Sequence, residues 1–162
     1  AVSAWAHLPF CTIAVLKGHI IGGGACLALA SDFRCATPSA TFWFPEIDRG
    51  MYLSWGIIPR LIEELGLPLT RRLALLGDAV PAADLPTTFC NVSVQLEQDV
   101  SALVKRLESK PRLALSLIKK SMLEHCQANG GFGAQDVDRF MKSINSQAFA
   151  ALMSAWTENR SS

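Results

Sequence analysis

No stretch of this sequence stays apolar long enough to cross a membrane. Lys17, His19, Asp32 and similar residues interrupt the longest hydrophobic runs, short of the roughly eighteen residues a span needs. The opening segment, AVSAWAHLPFC, lacks the basic region and apolar core of a secretory signal. Excess charge is absent as well. The formal net charge is +1, and the scattered basic residues make no footprint for nucleic acid. The two dense basic pairs, Arg71–Arg72 and Lys119–Lys120, fall in helical patterns and read as solvated helix faces. The five cysteines, Cys11, Cys26, Cys35, Cys90 and Cys126, include no C-x-x-C pair. This argues against a zinc site or disulfide framework and for reduced intracellular thiols. The Asn91-Val-Ser triplet, without a secretion signal, is taken as a chance match to a glycosylation pattern. There is no internal repeat and no low-complexity segment. What remains is a half-hydrophobic chain of 162 residues, enough for one ordinary core.

The pattern along the chain is α/β. Thr12–Gly18 is a β-branched apolar run that predicts a buried strand. Three glycines follow, then ACLALASD as a short helix. FRCAT and TFWFP are two further short strands around a turn at Pro38–Ser39. Ile57, Ile58, Leu61, Ile62 and Leu65 recur at helical intervals, with Pro59 in the first turn and Gly66 as the stop. TRRLALLGD predicts another helix, ending at Gly77. Leu96, Val100, Leu103, Val104 and Leu107 form a helical stripe. Pro111 opens the next helix, whose apolar positions are Leu113, Leu117, Ile118 and Met122. After a flexible break at NGGFG (129–133), Val137, Phe140, Met141, Ile144, Ala148, Ala151, Leu152 and Ala155 continue a stripe. One bent helix or two would fit it.

The chemistry begins at HIIGGGACLALASD, residues 19–32. Triple glycine is costly to order, so Gly22, Gly23 and Gly24 need a reason. A phosphate-binding P-loop is excluded, because Ala25 and Cys26 follow where a lysine and a hydroxyl belong. A dinucleotide fingerprint is excluded because Leu27 stands in place of its third glycine. A helix start does leave backbone N–H groups unpaired, and bare glycines let a reacting carbonyl oxygen approach them as an oxyanion. A tight strand-to-helix crossing, with glycine required only for packing, fits equally well at this point. Further on, TFWFPEIDRGM places Glu46 in apolar surroundings after Pro45. Burial raises a carboxyl pKa, which suits a general base or acid.

Taken together, TIAVLKGHIIGGGACLALASDFRCATPSATFWFPEIDRG resembles the core signature of the crotonase family, the enoyl-CoA hydratases and isomerases. The family pattern runs P-x-I-A-x-x-x-G-x-x-x-G-G-G, then L-A-L-x-x-D-x-R-x-A, then A-x-F-x-x-P-E-x-x-x-G. Ile13, Ala14, Gly18, Gly22–Gly24, Leu27–Leu29, Asp32, Arg34, Ala36, Ala40, Phe42, Pro45, Glu46 and Gly50 match it without gaps. The likeness continues through GIIPRLIEELG, LLGDAVPAADL and KPRLALSLIKKSM and fades after His125.

The resemblance implies a crotonase-like spiral ββα core over residues 1–95 and a C-terminal helical trimerisation region over 96–162. It implies an acyl-CoA thioester as substrate, held as an enolate, with Gly23 donating one N–H to the thioester oxygen. The family's second donor and roughly its first third are expected to lie before the strand seen here. Gly22, Gly24, Cys26, Trp43, Tyr52 and Trp55 are the expected substrate-binding positions. Glu46 is the expected catalytic base, and Asp48 a structural or surface acid. Hydratases of the family use two glutamates, and Cys26 occupies the place of the first. That favours double-bond isomerisation over hydration, with thioester hydrolysis, decarboxylation or a non-catalytic acyl-CoA-binding remnant as alternatives. Cys26 is read as a small pocket-lining residue, although a helix start can also lower a thiol pKa. No metal and no cofactor are implied beyond the coenzyme A of the substrate. A homotrimer or hexamer is expected, with no nucleic acid and no membrane partner, in the cytoplasm or, in a eukaryote, the mitochondrial matrix. The segment between Asp84 and Leu96 is shorter than the family pattern.

Overall fold

Gly18 is where the two sheets of this fold part. Strand β1 (Ile13–Leu16) precedes it and β2 (His19–Ile21) follows it. Gly18 itself sits at φ 69°, a left-handed turn that glycine makes without steric cost. The chain therefore leaves one sheet and enters the next within two residues; the run expected as a strand, Thr12–Gly18, supplies β1, and β2 is an additional strand beyond it. Helix α2 (Gly23–Leu29) comes next, then β3 (Phe33–Ala36) parallel to β1 and β4 (Thr41–Trp43) parallel to β2. Each pass of the spiral lays one strand in each sheet and then crosses in a helix, as the resemblance implies.

A 3-10 turn at Ile47–Arg49 leads to α3 (Ile57–Leu75). Gly66, at φ 70° and ψ 167°, breaks α3 into two helices, as its place in the sequence predicts. Two short strands complete the sheets. β5 (Val80–Pro81) runs antiparallel to β4, and β6 (Asn91–Val92) runs parallel to β3. The sheet orders are β1-β3-β6 and β2-β4-β5. Even the short segment after Asp84 thus delivers a strand. Helices α4 (Leu96–Glu108), α5 (Arg112–Ala128) and α6 (Gln147–Glu158) follow, with the short α1 (Val2–Ala6) at the other end. The computed structural model describes residues 2–128, 137, 140–142 and 144–158; the NGGFG break lies outside them. Ser146 caps α6, its Oγ accepting the Phe149 N–H at 3.2 Å. The helical residues before Asn145 and α6 are therefore separate helices.

The core lies between the sheets and α2–α3, where Phe42, Phe44, Leu29, Ile57, Leu61 and Leu73 are fully buried. Two buried cations tie its margins. Arg34 on β3 donates to the carbonyls of Ala28, Leu29 and Ser31 at the end of α2, to Phe89 O at 2.8 Å and to Glu64 Oε2 at 2.7 Å. It thereby supplies partners to carbonyls that a helix end leaves open.

Lys119 corrects a sequence expectation. It is buried rather than solvated, and donates to Asp32 Oδ2 at 2.7 Å and Phe10 O at 2.9 Å. The face that α5 turns inward carries Leu115, Lys119 and Leu123, one helical turn apart. The stripe of Leu113, Leu117, Ile118 and Met122 is instead exposed. In the C-terminal stripe, Phe140 and Ile144 are partly buried, and Val137, Met141, Ala151 and Ala155 are exposed; the side chains of Ala148 and Leu152 lie outside the described residues.

Candidate active site

Strand register builds the site. β2 and β4 pair in parallel, with His19, Ile20 and Ile21 opposite Thr41, Phe42 and Trp43. The glycines that leave β2 and the Pro-Glu step that leaves β4 therefore emerge side by side. They do so at the carboxyl ends of two parallel strands, the usual location of a ligand site in α/β sheets. The Gly22 N–H closes the ladder by donating to Trp43 O at 2.9 Å, and Gly22 O accepts the first α2 hydrogen bond from Cys26 N–H.

The glycines differ in what they require. Gly22 sits at φ 50°, and a β-carbon there would lie 3.0 Å from Glu46 Oε1. A β-carbon on Gly23 would lie 3.3 Å from Cζ3 of the Trp55 ring. A β-carbon on Gly24 would meet nothing within 4 Å. Bare backbone is thus demanded at Gly22; at Gly23 a β-carbon would need the Trp55 ring to give by a few tenths of an ångström, and Gly24 has room to spare. As the first residue of α2, Gly23 keeps an N–H that has no acceptor within the helix.

Glu46 opens the 3-10 turn after β4. Its carbonyl accepts the N–H groups of Arg49 (3.1 Å) and Met51 (2.8 Å), and Gly50 ends the turn at φ 68°. The backbone is pinned while the carboxylate faces Gly22. Its Oε2 is buried without a hydrogen-bond partner. Burial raises the Glu46 pKa above the ordinary carboxylate value; its own backbone amide and the Arg49 charge pull the other way.

A cavity of about 110 Å³ opens beside this carboxylate. Gly23, Cys26 and Glu46 form one wall; Met51–Trp55 and Phe140 form the rest. Of the sequence-predicted positions, Gly23, Cys26, Glu46, Tyr52 and Trp55 come together here. Trp43 does not line it: its indole N–H donates to Gly77 O at 2.8 Å, which anchors the side chain elsewhere. Phe44 belongs to the core. Asp48 packs on Gly77, its Oδ2 2.8 Å from where a β-carbon would sit. His19 Nδ1 lies 2.8 Å from Thr41 Oγ1, and Lys17 pairs with Glu97 at 3.2 Å.

Cys26 is buried, and burial together with the Glu46 charge pushes its thiol pKa up to about 12. The helix start does not turn it into a thiolate. No group of three or more His, Cys, Asp or Glu side chains is placed to hold a metal ion among the described residues. No helix among them is long and apolar enough to cross a membrane. Sequence reasoning missed Met51, Leu53, Ser54 and Phe140. The first three sit between Gly50 and Gly56, a spacing that marks a shaped loop. Phe140 comes from a distant helix and carried no local signal.

Among the described residues lining the cavity, Glu46 is the one carboxylate, and it faces a glycine helix start. The sequence family described as enoyl-CoA hydratase/isomerase matches residues 2–162. A crotonyl-CoA hydratase of Syntrophomonas wolfei is 33% identical over 141 residues, which is 85% of this chain and 51% of that protein. A human ethylmalonyl-CoA decarboxylase is 38% identical over 60 residues, 37% of this chain and 20% of that protein. Among solved structures, a carnitinyl-CoA hydratase from Mycobacterium avium superposes with a TM-score of 0.81 at 26% identity, over 97% of this chain and 64% of that one. An enoyl-CoA hydratase from Mycobacterium avium subsp. paratuberculosis superposes at 0.84 with 24% identity, over 98% of this chain and 66% of that one, and shows the fold alone. The chain spans about half the length of the first curated relatives it matches. By its sequence and by its ββα spiral, this chain belongs to the enoyl-CoA hydratase/isomerase family.

Proposed function

We propose that this site moves a proton on an acyl-CoA thioester through an enolate, and that double-bond isomerisation is favoured over hydration. The observation that carries the reading is the pairing of Glu46 with Cys26. Glu46 is the one carboxylate among the described residues lining the cavity, and a neutral thiol stands at the position where the family resemblance implies a second glutamate in hydratases. In the proposed reaction Glu46 removes a proton from C2 of a 3-enoyl thioester. The C2–H electron pair becomes the C1–C2 bond of the enolate, and the charge moves to the thioester oxygen. Gly23 N–H stabilises that oxygen; one such donor contributes on the order of 10²–10³ in rate. The enolate then collapses, the C3–C4 double bond shifts to C2–C3, and the protonated Glu46 returns its proton at C4. A carboxyl with a raised pKa suits both halves of this transfer. Water addition would need a second group to activate it, and the Cys26 thiol does not supply one.

The match to ethylmalonyl-CoA decarboxylase favours one other reading. Loss of CO₂ from a malonyl-type thioester leaves the same enolate on the same oxygen, and a protonated Glu46 would quench it at C2. Assay with 3-enoyl-, 2-enoyl- and malonyl-type CoA substrates separates the readings. Isomerisation predicts turnover of the first. Release of CO₂ from the third alone would replace it with decarboxylation, and hydration of the second alone would contradict the role given to Cys26.

The exposed Leu113, Leu117, Ile118 and Met122 face is consistent with assembly into a homotrimer or hexamer, which sedimentation would test. The cytoplasm or the mitochondrial matrix is the proposed compartment; a relative in Arabidopsis thaliana is named as mitochondrial.

A further inference from the structure

Trp55 is held in a costly way for no gain in core packing. It is the one non-glycine residue with a positive φ, 63°, among the described residues. A bulky side chain in that region carries a strain of roughly 1–3 kcal/mol. Gly56 follows at φ 67° and caps α3. Yet the indole is 51% exposed, so hydrophobic burial does not account for its conformation. What the conformation does achieve is contact. The six-membered ring is laid on Gly23, with Cζ3 and Cη2 3.3 and 3.4 Å from the β-carbon position. The same ring walls the Glu46 cavity.

That cavity measures about 110 Å³. Sites that enclose a drug-sized ligand run to roughly 300–1,000 Å³. The space beside Glu46 lies well below that range and suits a short acyl group better than an extended chain. Leu53 and Phe140 close the remaining sides with bulk of their own. Trp55 differs from them because a single strained residue, set at the junction of turn and helix, decides how much room remains over Gly23.

We propose that Trp55 is the acyl-length determinant of this site and restricts it to short-chain acyl-CoA thioesters. The proposal rests on the acyl-CoA reading above. It assigns Trp55 a role in specificity and none in proton transfer.

The test compares kcat/KM for four-carbon and ten-carbon 3-enoyl-CoAs in the wild type and in Trp55→Gly, Trp55→Ala and Trp55→Phe. Glycine suits the left-handed backbone at this position, so Trp55→Gly removes the ring without added strain, and a thermal melt verifies that it folds. The wild type is expected to prefer the four-carbon substrate by at least about tenfold, the scale of one misfitted methylene. Trp55→Gly and Trp55→Ala are expected to raise the ten-to-four-carbon ratio at least about tenfold, with Trp55→Phe between them and the wild type. An unchanged ratio in folded Trp55→Gly, or a wild type indifferent to length, would overturn the proposal. If no enoyl-CoA is turned over, the catalytic reading falls. The same ratio, taken from calorimetric Kd values for butyryl- and decanoyl-CoA, then decides the role of Trp55. Absence of binding to either thioester overturns both.

Discussion

Glu46 and Gly22 fit together as a pair: the carboxylate Oε1 lies 3.0 Å from the point where a β-carbon on Gly22 would stand. The glycine is what allows the acid to reach the start of α2, and this contact links two motifs that are well separated along the chain.

Gly22→Ala is expected to displace the Glu46 carboxylate and to strain a backbone held at φ 50°, at a cost of about 1–3 kcal/mol. Thermal unfolding should fall by roughly 2–4 °C per kcal/mol, and turnover should fall with it. Gly24→Ala is the control. With open space and a helical backbone, it should be neutral or stabilise by up to about 1 kcal/mol.

The pH dependence follows from the raised Glu46 pKa. A base must be ionised, so the acidic limb of kcat/KM should lie above the ordinary carboxylate range and vanish in Glu46→Gln. Stability runs the other way. A folded-state pKa above the unfolded value means the native protein favours the protonated acid. That contribution is full below the unfolded pKa and is lost as pH rises through the folded one. Glu46→Gln should therefore melt higher than the wild type at neutral pH, with the gap closing as pH falls through the raised pKa. Melts across that range measure it, and a variant melting lower at neutral pH would contradict the burial assigned to this carboxylate.

Lys119→Ala leaves Asp32 Oδ2 with only the Thr12 N–H and hydroxyl donors, at 2.6 and 2.9 Å. Because the lysine side chain is only 8% exposed, breaking the pair should cost about 3 kcal/mol. Lys120→Ala, whose partner Glu124 lies 3.9 Å away on an exposed face, should cost less than about 0.5 kcal/mol. Denaturant titration of the two variants measures the contrast.

The order of strands and helices is legible in local signals, namely β-branched runs, glycines at turns and helical stripes, whereas the spiral and the meeting of the glycines with Glu46 are legible only through the family resemblance of the combined motif. β2 was hidden because three residues between two glycines carry no periodicity; its identity comes from pairing with β4. β5 and β6, two residues each, likewise exist through their partners. Trp43 looked like a pocket residue by proximity to Glu46, but alternation along β4 and the Gly77 carbonyl direct it away. Lys119 looked like half of a solvated basic pair; only the tertiary position of Asp32 explains its burial. Phe140 reaches the cavity from a helix whose docking no local pattern reveals.

The central claim is that Glu46 is the base that moves the C2 proton. Its most direct test follows conversion of a short 3-enoyl-CoA to the 2-enoyl isomer in D₂O, with the wild type and Glu46→Gln compared at equal folded concentration. The wild type is expected to carry the C2 hydrogen to C4 even in D₂O, and the variant to lose about 10²–10⁴-fold in kcat, the scale of a missing general base. A Glu46→Gln protein that isomerises within a few-fold of the wild type would contradict the account.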